Sequence, residues 1–287
     1  MTEETAIAAF RDRFQHEGLT PELISLFRDG IYHHYRREGR SFPWRETTDP
    51  YHILVSEVML QQTQTSRVID KYTRFIEMFP DFPALAAASL REVLAAWQGL
   101  GYNRRAIALQ KTAETVVSRL EGRLPETVEE LVKLPGVGPN TAGAVLAIAF
   151  NRPVVYIETN IRSVYHYFFF ADKTAVTETD YKKLIEDTLD VQNPREWYYA
   201  LYDYGAMLKN SGKNTDKPLS RQSRFEGSDR QLRGKVLRLF LDRHTIPGRE
   251  IAGQLEETEE RMSRILAGLE SEGFIISLGD SYSLREK

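Results

Sequence analysis

Helical spacing of apolar residues dominates the chain up to about residue 210. Hydrophobic positions recur every three or four residues, as in amphipathic helices, in segments 21–38, 51–79, 89–97, 103–119, 126–133, 139–150, 158–170, 178–188 and 195–208. The connections between these segments are short and carry proline or glycine, which end helices and form turns. Alternating strand patterns are rare before residue 270. The pattern therefore predicts an all-α domain over residues 1–210.

Residues 229–287 show a different pattern. Helical spacing fits 229–243, 248–255 and 258–272, and two short alternating runs then flank a Gly279-Asp280 turn, which is typical of a β-hairpin. Three helices followed by a hairpin resemble a winged helix, so we predict a small α+β domain. Its candidate recognition helix carries Arg261 and Arg264, with five glutamates in or beside it. A docking or structural role is therefore at least as well supported as the reading of DNA.

A basic stretch joins the two predicted domains. Residues 209–235 hold eight lysines or arginines against three acids, among glycine, serine, asparagine and proline. We interpret 211–228 as a linker, which is either a solvated connection or a strap that lies on phosphates. In the second interpretation, Arg221 and Arg224 contact DNA.

Composition narrows the class of protein. The chain has 287 residues, 41% of them hydrophobic, and a net charge of -3, so it can bury a core and any basic surface must be local. The absence of cysteine excludes disulfides, cysteine nucleophiles and thiolate-ligated metal centres. The acidic start and the proline- and glycine-broken run 134–151 favour a soluble, intracellular protein that does not enter a membrane.

The most informative stretch lies at residues 126–150. A short helical pattern precedes Leu134-Pro135-Gly136-Val137-Gly138, and a second, apolar helical pattern opens at Pro139. We expect both glycines to adopt positive φ and to let the backbone approach another molecule closely. Amides in such a turn and at the following helix start can hold a phosphate. The sequence thus predicts a helix–hairpin–helix, which grips a DNA backbone independently of sequence.

Blocks of sequence match one family in order along the chain. They are FPWR at 42–45, SEVMLQQTQ at 56–64, WQGLGY at 97–102, LPGVGPNTAGA at 134–144 and DYGAML at 203–208. On these residues the chain resembles the helix–hairpin–helix DNA glycosylase superfamily, and within it the adenine (A/G mismatch) DNA glycosylases. The matches run from about residue 30 to 210. The resemblance implies a two-lobed helical glycosylase domain with double-stranded DNA as its partner.

The resemblance assigns the chemistry to Glu57 and Glu158. Cleavage of an N-glycosidic bond builds negative charge on the base and positive charge on the sugar, so a proton donor and a second carboxylate fit the reaction. Glu57 matches the family's proton donor, and its apolar neighbours should raise its pKa; the alternative is a capping or salt-bridging helix residue. Glu158 stands where the family has aspartate, and its alternative role is to offset a helix dipole.

Asn140 bears on the reaction class. Related lyases carry a Schiff-base lysine in this slot, and an amide cannot form an imine, so the resemblance implies a monofunctional glycosylase without AP-lyase activity. Adenine glycosylases usually have serine or tyrosine there, which leaves the base preference open. We count Asn140 with Glu57 and Glu158 as a candidate catalytic residue.

Further candidates contact DNA or the target base. The resemblance implies that Gln62 and Tyr102 enter the duplex where the base leaves, although Tyr102 could instead be a core aromatic residue. Arg45 and Asp203 match positions around the base pocket. The remaining predicted DNA contacts are Gln61, Arg104, Gly136, Val137, Gly138 and Thr141.

We expect no resident metal centre. The family's four-cysteine iron–sulfur cluster would begin at Lys209, and the six histidines show no metal-ligand spacing. The resemblance allows a structural alkali ion at the hairpin carbonyls. Residues 229–287 also stand where that family has a larger domain that senses 8-oxoguanine, so recognition of the opposite base is not implied.

Three functions remain open. The first is a monofunctional glycosylase that removes adenine from a mismatch during base excision repair, as a cytoplasmic, nucleoid-associated monomer. The second is a glycosylase of the same fold that acts on thymine, uracil or a modified base. The third is a non-catalytic DNA-binding protein, which the presence of Glu57 and Glu158 disfavours.

Overall fold

A computed structural model of the chain describes residues 3–171, 173, 175–213 and 224–286. A short 3-10 helix covers Pro43–Arg45. The α-helices are α1 (Glu3–Glu17), α2 (Pro21–Glu38), α3 (Pro50–Leu60), α4 (Thr65–Met78), α5 (Phe82–Ala87), α6 (Leu90–Trp97), α7 (Arg104–Arg119), α8 (Val128–Leu131), α9 (Pro139–Ile148), α10 (Thr159–Phe169), α11 (Glu178–Thr188), α12 (Pro194–Asn210), α13 (Asp229–Asp242), α14 (Gly248–Gln254) and α15 (Glu259–Ser271). The strands are β1 (Thr245–Pro247), β2 (Ile275–Leu278) and β3 (Ser281–Leu284). The predicted all-α class with a small C-terminal α+β part is confirmed.

One local expectation was wrong, and two elements were not predicted. Segment 51–79 is not one helix, because Gln62 adopts a left-handed φ of 54° and the polar run at 61–64 separates α3 from α4. Helix α1 went unpredicted, although Ile7, Phe10 and Phe14 follow helical spacing and Phe10 is buried. Strand β1 also lies before residue 270, and it is too short for an alternating pattern to reveal it.

The described residues form two compact units, each built from separate stretches of chain. The first unit contains Met1–Glu57, Pro125–Lys133 and Val137–Leu219, and the second contains Val58–Leu124, Leu134–Gly136 and Ser220–Lys287. The predicted division by chain order, into 1–210, 211–228 and 229–287, stays a prediction. Both units draw on residues before 210, and residues 224–286 belong to the second unit.

The first unit is held together by an aromatic core. Helix α12 packs against α10, α2 and α9, while α1 packs against α10. The ring centroid of Phe27 lies 4.9 Å from that of Phe168, 5.0 Å from that of Phe169 and 5.7 Å from that of Trp197. Large buried rings contribute much of a core's apolar area. This core holds the C-terminal end of α10, the helix that Glu158 precedes.

The second unit combines two cores. Helix α7 packs against α5 and α6, around the buried side chains of Trp97 and Phe75. Helices α13, α14 and α15 form the other core with a sheet of order β1-β3-β2. Strands β2 and β3 pair antiparallel, with Ile275 opposite Leu284, which confirms the predicted hairpin. Arg91 of α6 donates to the carbonyl of Leu241 at 2.8 Å and so ties the C-terminal part to the helices.

The described helices include none that is long and apolar enough to cross a membrane.

Candidate active site and DNA-binding residues

Glu57 lies near the end of α3, in the first unit. Its side chain is half-buried, and the side chains of Val55 and Val58 beside it are buried. Burial and the charge of Glu158 together raise the pKa of Glu57 to about 8, against an opposing effect of the charge of Arg45. A carboxyl group with such a pKa keeps its proton at neutral pH and can donate it.

Glu158 is the N-cap residue of α10. Its Oε1 accepts a hydrogen bond from the Ile161 backbone N–H at 2.8 Å, and its Oε2 accepts one from Asn160 Nδ2 at 3.2 Å. Burial raises the pKa of Glu158, and these hydrogen bonds reduce that rise without cancelling it. Glu158 thus lies at a helix start, as its alternative role requires. The hydrogen bonds that it accepts there stabilise its ionised form. Unequal hydrogen bonding of this kind separates the roles of two neighbouring carboxyl groups.

A close approach of two helices fixes the start of α10. Gly205 of α12 faces Asn160, and a Cβ atom at Gly205 would lie 2.4 Å from the Asn160 backbone oxygen. No side chain fits at that distance. Glycine in the DYGAML block therefore lets α12 support the residues that carry Glu158.

Tyrosines that sequence reasoning missed surround the carboxyl pair. The hydroxyl groups of Tyr156 and Tyr202 form a 2.6 Å hydrogen bond. Burial raises the pKa of Tyr202 well above its ordinary value, and the charges of Glu57 and Glu158 raise it further, so Tyr202 stays neutral beside both acids. Among the described residues, the buried hydroxyl of Tyr199 has no hydrogen-bond partner, and the charge of Glu57 raises its pKa further. Tyr198, Tyr199, Tyr202 and Tyr204 crowd one helix, which is a signal that sequence reading could have used.

Arg45 and Asp203 form a buried ion pair. Two Arg45 nitrogens donate to the two Asp203 oxygens at 2.8 and 2.9 Å, and the Arg40 backbone N–H donates to Asp203 at 2.8 Å. Burial alone would raise the pKa of Asp203, but the hydrogen bonds and charges of Arg45 and Arg40 outweigh it and lower that pKa. The pair holds the Arg45 charge near Glu57. Its assigned place around the base pocket stays a prediction.

The hairpin residues adopt the expected turn with one correction. Gly136 has a φ of 76°, and a Cβ atom there would lie 2.7 Å from the Ala108 Cβ. Gly138 instead has an ordinary φ of −87° and is the N-cap of α9, so its expected positive φ was wrong. Gly138 is exposed with open space around it, whereas Val137 and Thr141 are buried. The exposed amides at this helix start remain suited to an anion.

Asn140 is exposed at the second position of α9. Its Oδ1 accepts a long hydrogen bond of 3.4 Å from the Ile157 backbone N–H, in the segment that leads to Glu158. The structure thus brings three predicted catalytic residues, Glu57, Glu158 and Asn140, into the same unit.

Gln61, Gln62 and Tyr102 belong to the second unit. Gln62 and Tyr102 both have left-handed backbones, with φ of 54° and 48°. Such conformations are uncommon outside glycine and cluster at functional sites. Tyr102 is half-buried, and Arg230 of α13 donates to its hydroxyl. Gln61 Nε2 donates to the Gly136 carbonyl at 3.4 Å.

Two neighbouring arginines differ sharply. The predicted DNA contact Arg104 is exposed and paired with Glu272 at 2.5 Å. Arg105, which sequence reasoning missed, donates to the carbonyls of Val58, Met59 and Gln61 at 2.7, 2.9 and 2.7 Å. It also reaches the Gly101 carbonyl at 3.1 Å, so it fastens the loops that carry Gln62 and Tyr102. Burial lowers the pKa of Arg105 to about 10.

Of the two DNA contacts predicted in the basic stretch, Arg221 and Arg224, the structure describes only Arg224. Arg224 is exposed and lies 3.6 Å from Glu226. Arg221 lies outside the described residues. Among the described residues, no group of three or more histidine, aspartate or glutamate side chains could hold a metal ion.

The hairpin carbonyls are partly engaged by the chain itself. The Thr112 hydroxyl donates to the Pro135 carbonyl at 2.9 Å, beside the bond from Gln61 to Gly136. An alkali ion at these carbonyls stays an expectation and has no part in the chemistry below.

Comparison with known proteins agrees with this geometry. Residues 55–188 match the family described as the HhH-GPD superfamily base excision DNA repair protein. The chain is 33% identical over 234 residues to a protein of Mycolicibacterium smegmatis named adenine DNA glycosylase, covering 75% of this chain and 79% of that protein. The chain belongs to the HhH-GPD superfamily. The superfamily match contains Glu57, Gln62, Tyr102, the hairpin and Glu158.

Alignments with other HhH-GPD relatives cover a smaller share of the relative's own length. An adenine DNA glycosylase of Buchnera aphidicola subsp. Baizongia pistaciae is 36% identical over 191 residues, which is 66% of this chain but 54% of that protein. The chain thus spans about half the length of this relative. A solved structure described as a thermostable thymine-DNA glycosylase aligns with a TM-score of 0.59 and 26% identity, over 64% of this chain and 86% of that one.

Proposed function

We propose that the protein is a monofunctional DNA N-glycosylase that flips a base, adenine in a mismatch, out of duplex DNA and hydrolyses its N-glycosidic bond. The observation that carries the proposal is the carboxyl pair in the first unit. Burial and Glu158 raise the pKa of Glu57 to about 8, while hydrogen bonds from Ile161 and Asn160 favour the ionised form of Glu158. We assign the proton to Glu57 and the charge to Glu158, which is the division of states that the reaction requires.

The steps follow from these two states. Glu57 donates its proton to a ring nitrogen of the base, so the base leaves as a neutral molecule when the bond to the sugar carbon breaks. The ionised Glu158 stabilises the positive charge that develops on the sugar. A water molecule then adds to the sugar carbon, and its proton passes to a carboxylate. The neutral hydroxyl of Tyr202 supplies a dipole beside both acids without adding charge.

Extrusion of the base is assigned to Gln62 and Tyr102. Flipping a base costs a few kcal/mol of stacking and pairing, which inserted side chains offset. Both residues have left-handed backbones on loops that Arg105 fastens together. We take the resulting rigidity as the reason that these loops can hold an inserted side chain in position.

Adenine is the proposed target because relatives covering most of this chain are named adenine DNA glycosylases. Thymine, uracil or a modified base is the second candidate, and two observations favour it. Asn140 stands where adenine glycosylases usually have serine or tyrosine, and the solved structure named a thymine-DNA glycosylase shares the fold.

A panel of duplex oligonucleotides tests the function. Each duplex carries one defined site, namely A·G, A·8-oxoguanine, A·C, T·G, U·G or an alkylated purine, and is incubated with enzyme and then heated in alkali. We expect strand cleavage at adenine sites above all others. Cleavage confined to T·G and U·G would transfer the assignment to the second candidate. Binding without cleavage on every duplex would leave the non-catalytic alternative.

The absence of lyase activity has its own test. An amide cannot form an imine with the sugar aldehyde, so Asn140 predicts an intact strand with an abasic site that breaks only in alkali or heat. Borohydride should trap no covalent complex, and a known bifunctional lyase serves as the positive control. Efficient trapping by the unmutated protein would show that another lysine acts as the nucleophile.

The proposed partner is double-stranded DNA, bound by a monomer. Large exposed hydrophobic side chains among the described residues are scattered along the chain, at Leu26, Met78, Val117, Val132, Val191, Phe225, Ile276 and Leu278. Action on chromosomal DNA would place the protein at the nucleoid.

A further inference from the structure

A groove of about 1180 Å³ lies within the second unit. One part of its wall consists of the loops at 61–64 and 98–105 with the beginning of α4. The other part is α13, with Phe225 before it and Phe274 beyond α15. The groove therefore contains Gln62 and Tyr102 and extends from them along the C-terminal part of the chain.

Both parts of the groove wall carry basic side chains. Among the described residues, its lining contains eight lysines or arginines and no aspartate or glutamate, in a chain whose net charge is -3. The eight are Arg67, Lys71, Arg104, Arg105, Arg230, Arg233, Lys235 and Arg238. Uncharged amides stand among them, including Gln61, Gln98, Asn103 and Gln231. Cations that neutralise phosphates, together with amides that donate to phosphate oxygens, are the groups that bind a nucleic-acid backbone.

Helix α13 contributes half of these cations and is joined to the candidate wedge residue. Arg230 donates to the Tyr102 hydroxyl, and its guanidinium lies 5.1 Å from the Tyr102 ring centroid and 5.2 Å from that of Phe225. The exposed side chains of Lys235 and Arg238 follow on the same helix. Arg230 thus connects Tyr102 to a helix that lies outside the residues of the superfamily match.

Two of the groove cations, Arg104 and Arg233, are paired with Glu272, whereas Lys235 and Arg238 are exposed on α13. In the candidate recognition helix α15, both arginines are paired. Arg261 donates to Asp229 at 2.9 Å and to Glu257 at 2.9 Å, and Arg264 lies 3.5 Å from Asp229. Its arginines are therefore neutralised within the fold. The same pairing compensates the negative charge of Asp229, the acid at the start of α13.

We propose that this groove binds a sugar–phosphate strand of duplex DNA and that α13, rather than α15, is the DNA-binding helix of the C-terminal part. The proposal rests on the proposed function for its choice of DNA among polyanions. It assigns to residues 229–242 a role in binding phosphates next to the site where Gln62 and Tyr102 enter the duplex.

Charge reversal on α13 tests the proposal. Lys235→Glu/Arg238→Glu changes two exposed cations, and Arg119→Glu/Arg123→Glu makes the same change at exposed positions of the same unit outside the groove. The affinity for an undamaged duplex is measured over a series of salt concentrations. Thermal unfolding verifies that each variant is folded, and Lys71→Glu in α4 provides an independent change on the other wall.

We expect the α13 variant to bind at least ~10-fold more weakly near 0.1 M salt. Its plot of log affinity against log salt should flatten by about 1.8, since each phosphate contact contributes about 0.9. Lys71→Glu should lose about 0.9, and the control should stay within about twofold of wild type. Equal behaviour of the α13 variant and the control would overturn the proposal.

The readout separates this proposal from the proposed function, because undamaged duplex contains no base to excise. If the wild-type protein excises adenine and the α13 variant binds DNA normally, the groove does not bind DNA, but the proposed glycosylase activity stands. If the wild-type protein excises no base, but charge reversal on α13 abolishes its salt-dependent binding, the groove binds DNA and the proposed glycosylase activity is wrong.

Discussion

The two compact units use charge in opposite ways. In the first, Glu57 and Glu158 are half-buried, and burial raises the pKa of both. In the second, the groove presents cations such as Lys235 and Arg238 that are exposed. Burial changes what a single acid can do, whereas in the groove the number of exposed cations determines binding.

Arginines in the two units illustrate the same difference. The Arg45 side chain is 8% exposed and makes two hydrogen bonds to Asp203, so it acts on Glu57 as a fixed charge. Arg238 is exposed on α13 and faces the groove. The residue type alone does not decide the role, and pairing with a buried acid does. Changes in the first unit should therefore alter chemistry, and changes in the groove should alter affinity.

The largest expected effect is that of Glu57→Gln. The amide keeps the shape of the side chain but has no acidic proton to donate, so single-turnover excision should fall by about 10²–10⁴. Affinity for DNA should stay within about twofold. Glu186→Gln, an exposed acid of the same unit, is the matched control and should excise at the wild-type rate. Near wild-type excision by Glu57→Gln would remove this residue from the mechanism.

Glu158→Gln separates the two roles of the second acid. A glutamine oxygen can still accept the Ile161 N–H bond that caps α10, but it carries no charge for the sugar. We expect excision to fall by about 10²–10³ with little change in thermal stability. Glu158→Ala should lose the cap as well, at a cost of about 1 kcal/mol. If Glu158→Gln excises normally and only Glu158→Ala is impaired, the carboxylate is a cap alone.

A smaller effect concerns stability and pH. The folded state holds the Glu57 proton up to about pH 8, whereas an ordinary glutamate releases it near pH 4.5. Between these values the unfolded chain binds fewer protons, so this group lowers the free energy of unfolding as pH rises. Glu57→Gln should therefore raise the Tm at pH 8 but not at pH 4.5, by about 2–4 °C for each kcal/mol relieved. An equal Tm difference at both pH values would show that Glu57 has an ordinary pKa.

Much of the fold was predictable because apolar spacing is a local property. It indicated α7, α10 and α12 close to their observed bounds, and the Gly-Asp turn indicated the β2–β3 hairpin. The break between α3 and α4 was not predictable from spacing. The left-handed backbone of Gln62 is held by contacts such as those of Arg105, which come from a helix more than 40 residues further along the chain.

The candidate site shows the same limit. Glu57 and Glu158 were identified from their motifs, but Tyr202 and Tyr156 meet only because α12 packs near the segment before α10. The sequence does not distinguish Arg104 from Arg105, because the two differ in burial and partners rather than in type. Local pattern thus identifies residues with intrinsic chemistry, and tertiary packing decides which neighbours support them.

The most direct test of this division of labour is the single-turnover excision rate measured against enzyme concentration for three proteins. For wild type, Glu57→Gln and Lys235→Glu/Arg238→Glu, the curve gives a limiting rate and a half-saturating concentration. We predict that Glu57→Gln lowers the limiting rate by about 10²–10⁴ and leaves half-saturation unchanged. The α13 variant should raise half-saturation by at least ~10-fold and reach the wild-type limiting rate. If both variants change the same parameter, the two units do not divide chemistry from binding.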